Sequence, residues 1–289
     1  MKIARLLGDA GPGFAFRRRG MSGWVTAGSI GLDIPDIQSL IHAYDQIAEL
    51  VETAEADIAE LSDALCPVFR PRKVMGVGLN YLAHIEEVGK PKPTEPLVFA
   101  KYSSAVIGPN DDIELASDVT AEVDYECELA VIIGKPTRRA TPENALESVF
   151  GYCVANDVSA RDIQRNQSQI SRSKSLDTFC PMGPWITTAD EIPDPHSLGI
   201  RTFVNEGPRQ DSNTSDMLFD VAYLVVHLSS AMTLEAGDVI LTGTPAGVGS
   251  GMKPPTYLQA GDVVRCEIDA LGFIENRVIA GPISELLRT

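Results

Sequence analysis

Two glutamates in the stretch YECELAVIIGK, residues 125–135, have the type and spacing to act together on a cation. Side chains alternate across a strand, so the carboxylates of Glu126 and Glu128 point to the same side, roughly 7 Å apart. Carboxylates held close together raise each other's pKa and destabilise the fold unless a cation lies between them. The pair therefore predicts a cation site. The alternative is an acidic pair on a solvated strand edge.

A third carboxylate follows in GYCVANDVSARDIQ, residues 151–164. Strand alternation predicts Cys153, Ala155 and Asp157 on one face, with Asp157 where the strand gives way to a turn. Three carboxylates without histidine or cysteine suit a hard cation: Mg²⁺, or else Mn²⁺ or Ca²⁺. The alternative interpretation is that Asp157 only caps a turn. Ser159 and the acid three residues later resemble a capping box for a short helix.

A histidine and a glutamate three residues apart form a candidate general base. In GLNYLAHIEEVGKP, residues 78–91, Asn80 is predicted to cap a short helix. His84 and Glu87 then share one helical face. A carboxylate that orients an imidazole and stabilises its protonated form makes a base that can take a proton from water. The alternative is an ordinary surface pair.

Two polar loops are candidates for binding an anionic substrate. Lys174 lies in SRSKSLDTFCPMGPW, residues 171–185, and can bind an anion or stabilise a developing oxyanion; a solvated loop lysine is the alternative. The glycine-rich stretch LTGTPAGVG, residues 241–249, has no Lys-Ser/Thr after it and is therefore not a P-loop. Its backbone amides and the Thr244 hydroxyl can still hold a carboxylate.

Composition excludes several classes of partner. The chain has 289 residues and a formal charge of −16, and an acidic surface repels nucleic acid and anionic membranes. No stretch approaches the roughly 18 apolar residues of a membrane helix. The first residues show no signal peptide, and the five cysteines lack a CxxC pair. We therefore expect a cytoplasmic protein with reduced, buried thiols.

The elements that must position these groups are mostly short strands. Residues 36–65 show helical spacing, and residues 66–73, with two prolines, are typical of a linker. We predict a domain boundary near residue 69. Turn signals and apolar runs beyond it predict strands at 74–78, 97–100, 105–107, 123–133, 151–156, 185–187, 200–204, 239–243 and 263–268. One longer helix is predicted over 216–231, capped by Thr214 or Ser215.

Seven of these segments occur in an order that resembles the fumarylacetoacetate hydrolase family. They are GLNYLAHIEE, FAKYSSAVIGP, DYECELAVIIGK, NDVSARDIQ, SKSLDTFCPMGP, SNTSDMLFD and GDVILTGTPAGVG. The resemblance implies an α+β, mainly β fold: a twisted β-roll catalytic domain over residues 70–289. A small N-terminal α/β domain over residues 1–69 would precede it and supply no chemical group.

The resemblance also implies roles for individual residues. Mg²⁺ or another divalent cation would be held by Glu126, Glu128 and Asp157. A water-activating dyad would be formed by His84 and Glu87. Lys174 matches the active-site lysine, and the substrate contacts would come from Gln164 and Thr244, with Arg161 and Lys101 nearby. The metal-binding aspartate that some members carry ahead of the histidine has no match here, where Asn80 is the nearest polar residue. This favours the acylpyruvase-like branch.

The implied function is a divalent-metal-dependent hydrolase that cleaves a C–C bond in a small anionic 2,4-dioxo acid of the acylpyruvate or fumarylpyruvate type. The reaction would pass through a metal-held enolate, with water activated by the His-Glu dyad. Alternatives on the same scaffold are oxaloacetate decarboxylation, isomerisation of 2-hydroxyhepta-2,4-diene-1,7-dioate and processing of sugar acids. A non-catalytic protein that the metal only stabilises is a further alternative. A homodimer is expected from the family.

Overall fold

The computed structural model describes residues 1–8, 11–61 and 64–282. Its strands are β1 (Lys2–Gly8), β2 (Gly11–Arg17), β3 (Val25–Thr26), β4 (Ala64–Leu65), β5 (Val74–Gly78), β6 (Leu97–Lys101), β7 (Val106–Ile107), β8 (Ile113–Leu115), β9 (Val123–Asp124), β10 (Cys127–Ile133), β11 (Val149–Asn156), β12 (Ser159–Ala160), β13 (Cys180–Thr188), β14 (Gly199–Val204), β15 (Gly207–Asn213), β16 (Val239–Leu241), β17 (Val263–Ile268) and β18 (Gly272–Ala280). Its α-helices are α1 (Ile37–His42), α2 (Tyr44–Thr53), α3 (Leu82–Glu87), α4 (Arg161–Asn166) and α5 (Val221–Ala231).

Two large sheets contain most of the strands, and strand residues outnumber helical ones, which confirms the mainly β, α+β prediction. The larger sheet has the strand order β3-β2-β1-β13-β11-β10-β16-β5-β6, with β4 added beside β1 and β7 beside β13. The smaller sheet has the order β15-β14-β17-β18-β8. Within the described ranges, no helix combines the length and apolar character needed to cross a membrane.

Strand β10 is buried on both faces, and its two faces contribute to different cores. Leu129 and Val131 pack into a core that α5 and the smaller sheet share. Ala130 and Ile132 pack into a second core with Leu40 and other residues from α1 and α2. The even-numbered positions of β10 are therefore apolar after Glu128 because the N-terminal helices cover that face.

The N-terminal segment is joined to the larger sheet by backbone pairing. Strand β1 runs antiparallel to β13, with Lys2 opposite Thr187 and Ile3 opposite Ile186. Because the sheet continues through this pair, β1 and β13 belong to one hydrogen-bonded sheet. The division into domains at residue 69 stays a prediction.

The helix predicted over 36–65 is shorter than expected. It is interrupted at Ala43 and ends at Thr53, where Ala54 is already extended. Beyond this point the backbone of Ile58 pairs with that of Trp24, which uses hydrogen-bonding groups that a continuing helix would need. Tertiary pairing thus overrides the helical pattern. Residues 62–63 of the prediction lie outside the described residues.

The helix predicted over 216–231 begins later, at Val221, and Asp220 caps it by accepting a hydrogen bond from the Tyr223 amide at 2.7 Å. Thr214 and Ser215 instead form a 3₁₀ turn. The reason lies just before the helix: the amides of Leu218 and Phe219 donate to Asn80, so these two residues are held out of the helix.

Candidate active site

The floor of the site is formed where β10 begins and β11 ends. The strand predicted over 123–133 is broken at Tyr125 and Glu126, so Glu126 lies in a short irregular link rather than in the ladder. The amide of Asp157 donates to the Glu126 carbonyl at 2.8 Å, and the Glu126 amide donates to Asn156 Oδ1 at 3.0 Å. These bonds bring the end of β11 against the start of β10.

The three predicted acids converge in this floor. Glu126, Glu128 and Asp157 each offer a carboxylate oxygen, and these oxygens all lie within 4.8 Å of one another. All three side chains are buried, with Asp157 wholly inaccessible to solvent. The alternatives of a solvated acidic edge and a simple turn cap are therefore wrong.

Lys174 provides a cation at the centre of this cluster. Its Nζ lies 2.6 Å from Glu126 Oε2 and 2.6 Å from Asp157 Oδ2. Lys101 reaches Asp157 from the opposite side at 2.5 Å and also donates to the Lys174 carbonyl. Both lysines are buried, so the alternative of a solvated loop lysine is wrong for Lys174.

The buried charges of the floor favour the binding of a further cation. Burial raises the pKa of Glu128 well above its usual range, and the Asp157 and Glu126 carboxylates raise it further. Burial also acts against ionisation of Glu126, but the Lys174 and Arg161 cations hold its pKa well below the ordinary value. The buried carboxylates here are Asp124, Glu126, Glu128 and Asp157, and the buried cations are Lys101, Arg161 and Lys174.

This donor set fits a hard divalent cation. Four carboxylates face three cations, which leaves an excess of negative charge when all are ionised. The converging oxygens of Glu126, Glu128 and Asp157 are the ligands that Mg²⁺ and Mn²⁺ prefer. The acidic triad thus suggests a divalent-metal site.

The predicted dyad is present on α3. His84 Nδ1 lies 3.0 Å from Glu87 Oε2, and His84 is only 7% exposed, so the pair does not lie on an open surface. Glu87 Oε1 accepts a hydrogen bond from the Gly247 amide at 2.9 Å. With Nδ1 facing a carboxylate, the imidazole keeps Nε2 free for proton transfer.

The predicted caps of α3 and α4 are wrong. Asn80 does not cap α3: its Nδ2 donates to the carbonyls of Thr242, at 2.7 Å, and Phe219, at 3.0 Å. These bonds tie three loops together and leave Tyr81 as the residue before the helix. Ser159 does not form a capping box either, because its hydroxyl donates to the Asp157 carbonyl.

Helix α4 presents two of the predicted substrate residues. Arg161 pairs with Glu126 at 2.6 Å, and its Nη1 donates to Gln164 Oε1 at 3.1 Å. Its Nε donates to Asp124 Oδ2 at 2.8 Å. Asp124 was missed as a functional residue by sequence reasoning. The signal was present, since strand alternation places it on the same face as Glu126 and Glu128.

Thr244 lies in the glycine-rich loop, three residues after the end of β16. Its hydroxyl donates to the Cys127 carbonyl at 2.9 Å and accepts from Gln210 Nε2 at 2.7 Å. These bonds hold the Thr244 side chain against the start of β10. Gln210 was also missed, and in this case no sequence motif indicated the residue.

Most of the predicted residues line one cleft of about 850 Å³. Those on its walls are His84, Glu126, Glu128, Arg161, Gln164, Lys174 and Thr244. Glu87 lies behind His84, while Asp157 and Lys101 belong to the floor but do not line the cleft. Phe99 also lines the cleft, with its ring centroid 5.1 Å from Lys174 Nζ, and was not predicted.

A buried acidic triad beside a histidine, in a cleft of a β-rich fold, defines a metal-dependent enzyme class. The family model described as fumarylacetoacetate (FAA) hydrolase C-terminal matches residues 73–279. The chain therefore belongs to the fumarylacetoacetate hydrolase family, and its fold is of that family's type.

Related proteins have more than one named activity. A protein of Xenopus laevis named oxaloacetate tautomerase fahd2, mitochondrial, is 43% identical over 274 residues, which cover 86% of each chain. The structure of fumarylacetoacetate hydrolase from psychrophilic Exiguobacterium antarcticum is 42% identical with a TM-score of 0.83, covering 97% of this chain and 99% of the other. Maleylpyruvate hydrolase from Sphingobium sp. SYK-6, solved with manganese(II) and pyruvate, is 31% identical with a TM-score of 0.79, covering 98% and 100%.

Proposed function

We propose that this protein is a divalent-metal-dependent enzyme that transfers a proton at the carbon beside the oxo group of a small 2-oxo acid. Interconversion of the enol and keto forms of oxaloacetate is the activity we place first. The observation that carries the proposal is His84, buried beside the acidic triad and fixed by Glu87 at 3.0 Å. The 43% identical relative named as an oxaloacetate tautomerase supports the choice of substrate.

The acidic triad would hold the cation, with Mg²⁺ as the proposed ion and Mn²⁺ or Ca²⁺ as alternatives. When bound there, a divalent cation supplies Lewis-acid polarisation of the oxo acid's oxygens. Lys174 and Arg161 attract the anionic substrate locally, against the overall charge of −16. Gln164 offers a hydrogen bond to its carboxylate through Nε2, and Thr244, whose hydroxyl proton goes to the Cys127 carbonyl, lines the cleft beside it.

His84 performs the proton transfer in this proposal. In the enol-to-keto direction, the imidazolium gives its Nε2 proton to C3 of the substrate, and the proton of the enol hydroxyl leaves to solvent or returns to the imidazole. Glu87 keeps the ring oriented and stabilises its charged form. General acid–base catalysis of this kind contributes about 10²–10⁴-fold.

Hydrolysis of a C–C bond in an acylpyruvate is the second candidate. The His84–Glu87 arrangement favours it, because the same base can take a proton from water. The resulting hydroxide adds to the C4 carbonyl, the C3–C4 bond breaks, and its electron pair stays on the three-carbon fragment until C3 is protonated. The 31% identical maleylpyruvate hydrolase supports this chemistry on a related fold.

An assay panel tests both candidates. Oxaloacetate enol–keto interconversion and loss of acetylpyruvate or fumarylpyruvate are followed by absorbance, with Mg²⁺, with Mn²⁺ and after chelation. We expect metal-dependent acceleration of the oxaloacetate reaction above its spontaneous rate. Acceleration of dioxo-acid cleavage alone would make hydrolysis the principal activity. No metal-dependent acceleration with any substrate would overturn the proposal.

The remaining expectations belong to the same proposal. We infer a homodimer, a small anionic oxo acid as the substrate, and no nucleic-acid or membrane partner. A cytoplasmic location is likewise proposed, although the Xenopus laevis relative is named as mitochondrial. Light scattering of the purified protein tests the homodimer directly.

A further inference from the structure

Strand β6 runs from the rim of the cleft to its floor. Leu97, Phe99 and Lys101 alternate onto the same face, and their exposed fractions fall from 45% to 9% to 3%. At the inner end, Lys101 contacts Asp157, and Phe99 lies against Lys174. Since every second residue of a strand is roughly 7 Å further along, Leu97 lies about that far outward from the Phe99 ring.

The cleft offers more space than a four-carbon substrate needs. Its volume is about 850 Å³ with α3 already in place and His84 buried. The roughly nine non-hydrogen atoms of oxaloacetate need less than ~300 Å³ at the ~30 Å³ that a water molecule occupies in the liquid. The outer half of the cleft is therefore open to a further part of a substrate.

The outer wall is largely apolar. Its side chains include Val88, Leu97, Ile170, Pro255 and the ring of Tyr257. Two cations also line the cleft: Arg165, whose guanidinium is paired with both oxygens of Glu122 at 2.6 and 2.7 Å, and Lys90, which is exposed. The charge of Arg165 is compensated, and the exposed ammonium of Lys90 stays hydrated. The apolar side chains are therefore the main surface offered to a distal group, and they favour hydrocarbon.

We propose that the outer cleft binds the distal apolar group of a substrate, so that the enzyme also acts on 2,4-dioxo acids whose acyl chain carries several carbons. The 2-oxo acid end occupies the floor, and the acyl chain extends along β6 toward Leu97. This inference rests on the proposed function and adds to it the chemical class of the distal group.

Binding of a homologous series tests the inference without requiring turnover. Acetyl-, butanoyl- and hexanoylpyruvate are titrated calorimetrically into the Mg²⁺-loaded protein. Each methylene that reaches the apolar wall should tighten binding by roughly fourfold, the factor that corresponds to burial of one CH₂. Equal affinity across the series would overturn the inference. Tighter binding of succinylpyruvate, with its terminal carboxylate, than of an alkyl analogue of equal length would also overturn it.

A pair of matched variants locates the effect. Leu97→Asp places a charge on the outer wall and should remove the dependence of affinity on chain length. Leu146→Asp makes the same change at a leucine that is 43% exposed and outside the cleft, and should keep it. A length dependence that survives Leu97→Asp contradicts the placement. If the series binds as expected but no member is cleaved, the outer binding surface stands while hydrolysis fails as the second candidate activity. The oxaloacetate assay, which does not use this series, decides the proposed function separately.

A separate observation concerns the loop Gly247–Gly251, which is held from two sides. Asp124 accepts the amides of Gly249 and Ser250 at 2.7 and 3.0 Å, in addition to Arg161. A Cβ added at Gly251 would lie 2.4 Å from Glu87 Cδ and 2.6 Å from its Oε1. The missing side chain at Gly251 therefore leaves the space that the Glu87 carboxylate occupies.

The geometry points to Gly251 as a positioning residue for the dyad. Gly251→Ala would displace only the end of a flexible side chain, so the fold should be kept, but the displaced carboxylate is the one that orients His84. This second inference also rests on the proposed role of His84. Its effect is expected on kcat, with metal affinity and thermal stability nearly unchanged.

A double-mutant cycle with Glu87→Gln tests the role of Gly251. If Gly251 acts through Glu87, Gly251→Ala and Glu87→Gln should lower kcat by similar factors, and the double variant should be no slower than Glu87→Gln. Gly28→Ala, where an added Cβ meets nothing within 4 Å, is the control for the substitution itself. Additive losses, or a wild-type kcat for Gly251→Ala beside an impaired Glu87→Gln, would overturn the assignment. A Glu87→Gln variant at the wild-type rate would instead remove the dyad from the mechanism.

Discussion

The ammonium group of Lys174 lies 2.6 Å from the carboxylate of Glu126, with both side chains buried. A buried ion pair stabilises the fold only while both partners are present, because loss of one leaves an uncompensated charge. In the proposed mechanism, the same lysine would face the negative charge that develops on the substrate. The pair therefore connects the stability of the floor to its proposed chemistry.

Removing the lysine charge should make stability depend on metal. Lys174→Met without metal should lose about 3–5 kcal/mol of unfolding free energy, because Glu126 and Asp157 lose a shared buried cation. Mg²⁺ should restore more stability to this variant than to the wild type. Urea unfolding with and without Mg²⁺ measures both. Lys135→Met removes an exposed pair with Glu147 and should cost under ~1 kcal/mol, with no change in the metal effect.

The metal assignment makes Glu128 essential for cation affinity. Changes to residues that only support metal ligands typically cost 10–100-fold in affinity, so Glu128→Gln should weaken Mg²⁺ or Mn²⁺ binding by at least ~10-fold. The apo protein should remain folded, since burial and the neighbouring carboxylates already favour the neutral form of Glu128 by raising its pKa. Calorimetric titration measures the affinity. Near-wild-type binding by Glu128→Gln would show that the triad is not the metal site.

His84 and Glu87 should behave as one catalytic unit. His84→Ala is expected to lower kcat by roughly 10²-fold or more while leaving metal binding nearly unchanged. Glu87→Gln should lose less, because the imidazole remains, and the double variant should resemble His84→Ala alone. Steady-state kinetics with oxaloacetate and acetylpyruvate measure the losses. A wild-type rate for His84→Ala with both substrates would assign the proton transfer to another group.

The N-terminal segment should contribute stability but no chemistry. Leu40 is fully buried in the core that α1 and α2 share with the larger sheet, so Leu40→Ala should cost about 2–5 kcal/mol. Values of kcat and KM for the folded fraction should not change. Urea unfolding and kinetics at low temperature measure the two effects. A large change in KM would show that the segment shapes the site directly.

Removing residues 1–69 tests the predicted division of the chain. The deletion takes away β1, the antiparallel partner of β13, and exposes apolar residues of the second core. An unpaired edge of this kind promotes association between chains. We therefore expect the shortened chain to aggregate on expression. A soluble, monodisperse product with normal kcat would instead support an independent catalytic domain.

Much of the acidic floor could be predicted from local sequence. The alternation of side chains along a strand placed Glu126 and Glu128 on one side, and the helical spacing paired His84 with Glu87. These relationships depend only on backbone geometry over a few residues. They hold even though the strand breaks at Glu126, because the pair still points toward Asp157.

Helix boundaries depended on contacts that no local pattern contains. The predicted helix after Asp36 ends at Thr53 because the later backbone pairs with Trp24. Asn80 is a residue type that often caps helices, but its side chain instead donates to the carbonyls of Phe219 and Thr242, far along the chain. Burial removes water from some backbone groups, and a nearby polar side chain then becomes their hydrogen-bond partner. Tertiary structure decides which groups those are.

The sequence by itself therefore determined the types of chemical group and their spacing within single strands and helices, while the family motifs supplied their expected roles. Only the tertiary structure decided that Lys174 lies between Glu126 and Asp157, and that Asp124 and Gly251 support the groups beside them. Those relationships join residues separated by many positions in the chain. They arise because burial in a shared core forces distant charges and amides to satisfy one another.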